Sequence, residues 1–175
     1  HCPRCGGKTV QSDAGWTRRC TTDNSIHFPR TDPAVIMLVT DPDDRVLLAR
    51  QSRWQIGSAS VLAGFVEAGE SAEAAVVREV SEETGIAIDP DSIEYLGSQP
   101  WPFPNSLMLG YQARAITTDI CVDGEEIVEA LWYDRAEIME LCSAQKLHLP
   151  PRVSIAHQLI TRWYGEILPS SSSFR

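Results

Sequence analysis

The order of elements in this 175-residue chain predicts an α/β domain on a mixed sheet with helices on both faces, preceded by a small cysteine-bearing segment. Three observations carry that prediction. The run Ala34-Val35-Ile36-Met37-Leu38-Val39-Thr40 is continuously apolar up to its last residue, as in a strand buried on both faces. Strand patterns and short amphipathic helices then alternate as far as Trp163. Before this stretch, Cys2 and Cys5 stand at Cys-x2-Cys spacing in a segment with too little apolar content to build a core of its own.

Residues 1–32 read as a zinc-ribbon-like segment. Cys2-Pro3-Arg4-Cys5-Gly6-Gly7 is a knuckle with glycines to turn the backbone, and Cys20 follows after 14 intervening residues. A ribbon wants a second Cys-x2-Cys there. Position 23 is Asp23, so the fourth ligand is Asp23, His27 or His1, and a ribbon that has lost its metal is the alternative reading. Any zinc here would be structural.

The larger domain is expected over 33–168, with a disordered serine-rich tail at 169–175. After the first strand, Asp41-Pro42-Asp43-Asp44 is a turn and Arg45 to Arg50 a second strand, which pairs with the first as a hairpin. Val61-Leu62-Ala63 leads to a helix from Ala72 to Thr84, with Ser71 as N-cap and Gly85 just past its end. Ile93–Gly97, Leu107–Ala115 and Ala130–Tyr133 read as strands. Ala136–Cys142 and Ser154–Trp163 read as helices.

Composition is that of a globular protein, 43% hydrophobic and 22% charged, and no stretch reaches the roughly 18 apolar residues of a membrane span. The formal net charge of -9 argues against broad electrostatic binding of long nucleic acids, though a metal would invert the local charge for a nucleotide. Five cysteines fit a reduced protein better than a disulfide framework. With no charged, apolar leader, the expected location is cytoplasmic, and the opening at His1 fits a piece of a longer protein.

The chemistry lies between Gly64 and Ile86. Glu79, Glu82 and Glu83 stand at i, i+3 and i+4, on one helix face, where three like charges repel unless a cation cancels them. Carboxylates are hard ligands that suit Mg²⁺ or Mn²⁺, ions that keep coordination positions open for phosphate and water. A solvated acidic face is the ordinary reading of such a cluster, and the spacing speaks against it. The segment fits Gly-x5-Glu-x7-Arg-Glu-U-x-Glu-Glu-x-Gly-U, U being aliphatic, without a mismatch. At about 7% usage per fixed position a chance match is on the order of 10⁻⁷.

This pattern resembles the box of Nudix hydrolases, which cleave nucleoside diphosphates linked to another group. The resemblance implies an α/β/α sandwich. It makes Glu79 and Glu83 the main Mg²⁺ or Mn²⁺ ligands and Glu82 a ligand or a positioner of water. Arg78 would be an internal charge partner that orients a box carboxylate, with Glu70 as the candidate. A second string, Ser98-Gln99-Pro100-Trp101-Pro102-Phe103-Pro104-Asn105-Ser106, begins 12 residues after the box and reads as a stiff aromatic loop. With the box, it resembles the signature of the NADH pyrophosphatase subgroup, whose members carry a zinc ribbon, form homodimers, split NADH or NAD⁺ into a nicotinamide mononucleotide and AMP, and remove NAD caps from RNA. That resemblance implies a fourth carboxylate at Glu126, Phe65 stacking on a base, and Phe28 reaching the ligand of the other subunit. It also implies a substrate region formed by Ile36, Gln99, Trp101, Ser106, Met108, Glu126 and Ala156. Asp23, where the subgroup has its fourth cysteine, is the departure. Two alternatives are weighed against this: a Nudix hydrolase acting on ADP-ribose or an oxidised nucleotide, and a non-catalytic nucleotide- or RNA-binding module. Glu125 and Glu129 read as solvated, Cys121 and Cys142 as unreactive, and Trp54 as a gate or core. His148 and His157 have no nucleophile partner.

Overall fold

The structure is a computed structural model that describes residues 1–169. Of the expected tail, only Pro169 lies within the described residues. The chain forms two compact units, His1–Thr31 and Asp32–Arg175.

In the first unit, β1 (Thr9–Ser12), β2 (Thr17–Cys20) and β3 (Ile26–His27) make an antiparallel sheet in that order. The β1–β2 turn runs through Asp13 and Ala14 at positive φ. The Thr17 hydroxyl donates to Asp13 Oδ2 across it. The knuckle closes through Cys2 N–H to the Gly7 carbonyl and Gly6 N–H to the Cys2 carbonyl.

The second unit is built on β4 (Asp32–Thr40), β5 (Val46–Gln51), β6 (Leu62–Phe65), α1 (Ala72–Thr84), β7 (Glu94–Trp101), β8 (Ser106–Arg114), β9 (Ile127–Tyr133), α2 (Arg135–Ser143) and α3 (Ile155–Tyr164). Its sheet has the order β7-β8-β4-β5-β9, with β6 also against β4. β4 and β8 are parallel over their whole length, from Asp32 opposite Ser106 to Thr40 opposite Arg114. The other pairs are antiparallel, so the sheet is mixed.

Alternation along β4 explains the layers. Val35, Met37 and Val39 pack with Ala75, Val76 and Val80 of α1. Ile36 and Leu38 pack on the other side with Ile138 of α2 and with Ile155, Leu159 and Ile160 of α3. Successive strand side chains point to opposite faces, so one apolar run serves both layers. Gly110 lets α3 approach β8: a Cβ there would stand 2.8 Å from Ile155 Cδ1. α1 begins at the Ser71 hydroxyl, which accepts from Ala74 N–H, and ends at Gly85 with φ 69°.

Two expectations are corrected. β4 and β5 pair only at Thr40 and Val46, and do not run on as a hairpin. The 60–65 segment enters between them, Ser60 pairing with Ala49 and β6 with Ala34–Met37. The string Ser98–Ser106 is not mainly a loop. Ser98–Trp101 completes β7, Ser106 opens β8, and Trp101 faces Ser106 across a tight connection. Pro100 fits because β7 is an edge strand, where a missing N–H costs little. The strand read as starting at Ala130 begins at Ile127, and the last two helices differ from expectation by one residue at each end.

Ile160 is fully buried between α3 and the sheet. Ile160→Ala is expected to cost about 2–5 kcal/mol through the cavity it leaves, read as a lower midpoint in urea at unchanged m.

Candidate active site and metal centres

Arg78, on α1, organises the box. Its Nε and Nη2 donate to the two carboxylate oxygens of Glu70 at 2.9 and 3.0 Å. Nη1 donates to Glu79 Oε1 at 2.9 Å and to Glu82 Oε2 at 3.0 Å, and Nη2 also reaches the Phe65 carbonyl. The expected partnership with Glu70 is thus a fork, extended to two further carboxylates. The hydrogen bonds from Arg78 hold Glu70 below the usual carboxylate range. These carboxylates in turn keep the guanidinium charged.

Glu83 is treated differently. It is only 5% exposed, and its Oε2 is buried with no hydrogen-bond partner among the described residues. Burial, with Glu79, Glu126, Asp123 and Glu82 adding repulsion, pushes its carboxyl up to about 8. Burial also raises Glu79, against the pull of Arg78 and with help from Glu82 and Glu126. The charge of Glu126 therefore bears on both residues. Glu126 arrives on the turn before β9, which Asp123 shapes by accepting from Glu125, Glu126 and Ile127 N–H, and its Oε1 accepts from Gln51 Nε2 at 3.1 Å. Glu129 pairs with Arg50 at 3.0 Å and Glu125 is exposed.

Gly64 explains itself by contact. A Cβ there would fall 1.9 Å from Glu79 Cδ, so any other residue would push that carboxylate away from β6. Gly69 has open space around it and needs glycine for its φ of 85°.

Beside Glu83 opens a cavity of about 420 Å³. Its lining includes Ile36, Gln99, Trp101, Met108 and Ala156 together with Glu83, which gathers five of the expected substrate residues around a box carboxylate. Ser106 and Phe65 do not line it: Ser106 is buried at the start of β8, and Phe65 is 58% exposed at the end of β6. Phe28 lies in the first unit and is 71% exposed.

Gln99 spends both ends of its amide on the chain entering α3. Its Nε2 donates to the Val153 carbonyl at 2.7 Å and its Oε1 accepts from Ile155 N–H at 2.8 Å. It therefore ties β7 to the cavity wall that carries Ala156. His157, buried, is held at Nδ1 by the Pro150 carbonyl at 2.9 Å, which steadies the Pro150-Pro151 lining. Sequence reasoning missed Gln51, Arg53 and these prolines. Arg53 brings a cation to the lining and bonds Gln51. Trp54, read as gate or core, lines the cavity. None of them sits in a spaced pattern: the path of the 51–60 segment brings in Gln51, Arg53 and Trp54, and the segment before α3 brings in the prolines.

The acidic set fits a divalent cation. A buried carboxylate oxygen without a partner, surrounded by further carboxylates, lacks a positive charge that hard oxygen ligands hold well. In the first unit, one donor atom each from Cys2, Cys5, Cys20 and Asp23 lies within 4.8 Å of the others. Asp23, not His27, stands with the thiols; the Ser25 hydroxyl lies 2.6 Å from Asp23 Oδ1 and 2.9 Å from His27 Nε2. Ser25 draws the Cys2 thiol down to about 6. At Cys5 the pull of the Gly7 amide is outweighed by the Cys20 sulfur, burial and Cys2, which push it up to about 11. One thiolate thus forms readily and the next resists, as expected where a cation is needed to balance them.

Sequence comparison agrees with this geometry. Residues 30–158 match the NUDIX domain and residues 1–28 the NADH pyrophosphatase zinc ribbon domain, and the chain belongs to the NUDIX family. Among its relatives, the human "NAD-capped RNA hydrolase NUDT12" is 42% identical over 174 residues, covering 93% of this chain and 37% of the relative. The "NAD-capped RNA hydrolase NudC" of Mycobacterium tuberculosis is 44% identical over 167 residues, covering 90% of this chain and 53% of the relative. The chain therefore spans between about a third and a half of these proteins. A NUDIX hydrolase structure from Nitrosomonas europaea shares the fold, at TM-score 0.68 and 20% identity over 97% of this chain and 94% of the other. No helix among the described residues is long and apolar enough to cross a membrane.

The raised Glu83 sets a sign for pH. Folded, this carboxyl keeps its proton to about pH 8; unfolded, it loses it near its ordinary value, so the native state binds more protons between the two. Its contribution to metal-free stability falls as pH rises through that window. Glu83→Gln is expected to flatten this dependence and raise the metal-free melting temperature at pH 8 by a few degrees, measured by calorimetry in EDTA.

Proposed function

We propose that this chain hydrolyses the diphosphate of NADH and NAD⁺ to a nicotinamide mononucleotide and AMP, and removes NAD caps from RNA 5′ ends, as a homodimer. The observation that carries the reading is Glu83, a buried carboxylate without a partner at the edge of a cavity lined by Gln99, Trp101 and Met108. The names and identities of the relatives support the same substrate class.

Glu79, Glu82, Glu83 and Glu126 would hold Mg²⁺ or Mn²⁺, which supplies charge neutralisation at the diphosphate and a lowered pKa for bound water. The chain's own residues do the rest. Arg78 occupies one oxygen each of Glu79 and Glu82, which fixes the rotamers of both. Glu83, held in a dry setting, favours its proton until a cation arrives and thereafter accepts one from water. Arg53 gives the cavity a cation for phosphate oxygens. Ile36, Met108 and Ala156 shape an apolar wall for a flat ring, and Trp101 lies at 5.3 Å edge-to-face with Phe103. Phe65 offers its exposed ring to a base, while Ser106 serves by closing the β7–β8 connection. Phe28 reaches the ligand of the second subunit. Water adds to one phosphorus, the bridging P–O bond breaks, and the other phosphate leaves with the electron pair.

ADP-ribose remains the rival substrate. Incubation with NADH or ADP-ribose and Mg²⁺ or Mn²⁺, resolved by chromatography, is expected to give metal-dependent AMP and reduced mononucleotide, with kcat/KM higher for NADH. Glu83→Gln should lower NADH turnover at least 100-fold. A preference for ADP-ribose, or retained turnover in the variant, would sink the assignment.

Zinc at Cys2, Cys5, Cys20 and Asp23 would be structural, because three strands this short bury little apolar surface. Elemental analysis is expected to find one zinc per chain. Cys20→Ser should lose it and melt lower, with turnover per folded molecule nearly kept.

A further inference from the structure

The net charge of -9 hides a division. Five of the 15 lysines and arginines, but only two of the 24 acidic residues, lie before Asp32. The first unit therefore carries +3 and the remainder -12. All five cations, Arg4, Lys8, Arg18, Arg19 and Arg30, are exposed. The two acids are engaged within the unit, Asp13 by the Thr17 hydroxyl and Asp23 by Ser25 and Cys2. Three thiolates and Asp23 around a zinc would still leave the unit near +2.

The sheet arranges part of this charge. Val10 faces Arg19 across β1–β2, and Arg19 faces Ile26 across β2–β3. Lys8 continues that ladder, its carbonyl accepting from Thr21 N–H, so alternation puts Lys8 on the side of Val10 and Arg19. Val10 and Ile26 are 51% and 44% exposed. At the end of the same hairpin, Trp16 is 68% exposed. Cations beside exposed apolar side chains, with an exposed indole at the end of the same hairpin, match single-stranded nucleic acid, whose backbone is anionic and whose bases stack on aromatic rings.

We propose that the Lys8–Arg19 face of the ribbon sheet, with Trp16, binds the single-stranded RNA that follows an NAD cap. This rests on capped RNA being a substrate. The acidic larger unit repels a polyanion, and the first unit is the part of the chain whose charge attracts one. An acidic peptide would answer to the charge but not to the indole.

The test is fluorescence anisotropy of the full chain with a 5′-labelled, uncapped single-stranded RNA of about 20 nucleotides at several salt concentrations, with poly-glutamate as competitor. Lys8→Glu with Arg19→Glu is expected to weaken binding about tenfold or more at low salt and to flatten the log K against log salt slope by about 0.7 per lost phosphate contact. Trp16→Ala should weaken it about fivefold or more. NADH turnover, zinc content and melting temperature should stay at the parent values, while KM for capped RNA rises and kcat holds. Undetectable RNA binding by the parent, unchanged affinity in the variants, parallel loss of NADH turnover, or equal competition by poly-glutamate would each overturn the proposal. RNA binding that the variants weaken, in a protein that cleaves neither NADH nor capped RNA, would uphold the RNA surface and refute the proposed activity instead.

Discussion

Four carboxylates crowd one guanidinium, and Arg78 does not serve them all. It closes a fork on Glu70, gives one N–H group to both Glu79 and Glu82, and anchors the Phe65 carbonyl. Glu83, on the same helix, is left buried and unpartnered. An ionised carboxylate in that position is costly, so without a cation the site holds a proton instead. Much of the neighbourhood follows from this arrangement. Glycine at 64 leaves room for Glu79, which a side chain there would displace. Glu70 is needed because without it Arg78 loses the fork that fixes its plane. A stabler protein would replace Glu83 with a neutral group; keeping it is the cost of holding a metal-ready site.

The sheet delivers the rest of the cavity to that carboxylate. Because β4 alternates, Val35 and Met37 seat α1 while Ile36, between them, joins the α3-side core and lines the cavity that Glu83 of α1 also borders. The α1 layer and the cavity wall are thus fixed by the same strand. The wall formed by Pro150–Ala156 is attached by two polar contacts, Gln99 to the backbone of Val153 and Ile155 and His157 to the Pro150 carbonyl. Gln99 shapes the cavity through that attachment, with its amide already engaged.

What was legible in the sequence is what depends on neighbours along the chain. The box helix runs from Ala72 to Thr84 between its Ser71 cap and Gly85, as the local signals require. What was not legible depends on segments meeting in space. The turn at 41–44 implied a hairpin, but β6 competes for the edge of β4 and wins all but the last pair. Prolines and aromatics in 98–106 signalled a loop, though an edge strand tolerates both. Helical periodicity put Glu83 on the acidic face and said nothing of what would cover it. For the fourth ribbon ligand, spacing left Asp23 and His27 open. In the structure Asp23 stands with the thiols, while the Ser25 hydroxyl bonds both Asp23 and the His27 ring.

Whole-chain charge is a poor guide to what such a protein attracts. At physiological salt the screening length is about 8 Å, so a phosphate responds to the few charges near it and not to a sum over 175 residues. Several of the acidic residues in that sum are committed to cations: Glu70, Glu79 and Glu82 to Arg78, Asp41 to Arg45, Glu129 to Arg50. Lys8 and Arg19 of the ribbon are less so. Arg18 is drawn to Thr9, but Arg19 makes only a long contact to the Asn24 carbonyl at 3.4 Å. A chain that is acidic in total can therefore still present, in its first unit, exposed arginine and lysine to which a polyanion would respond.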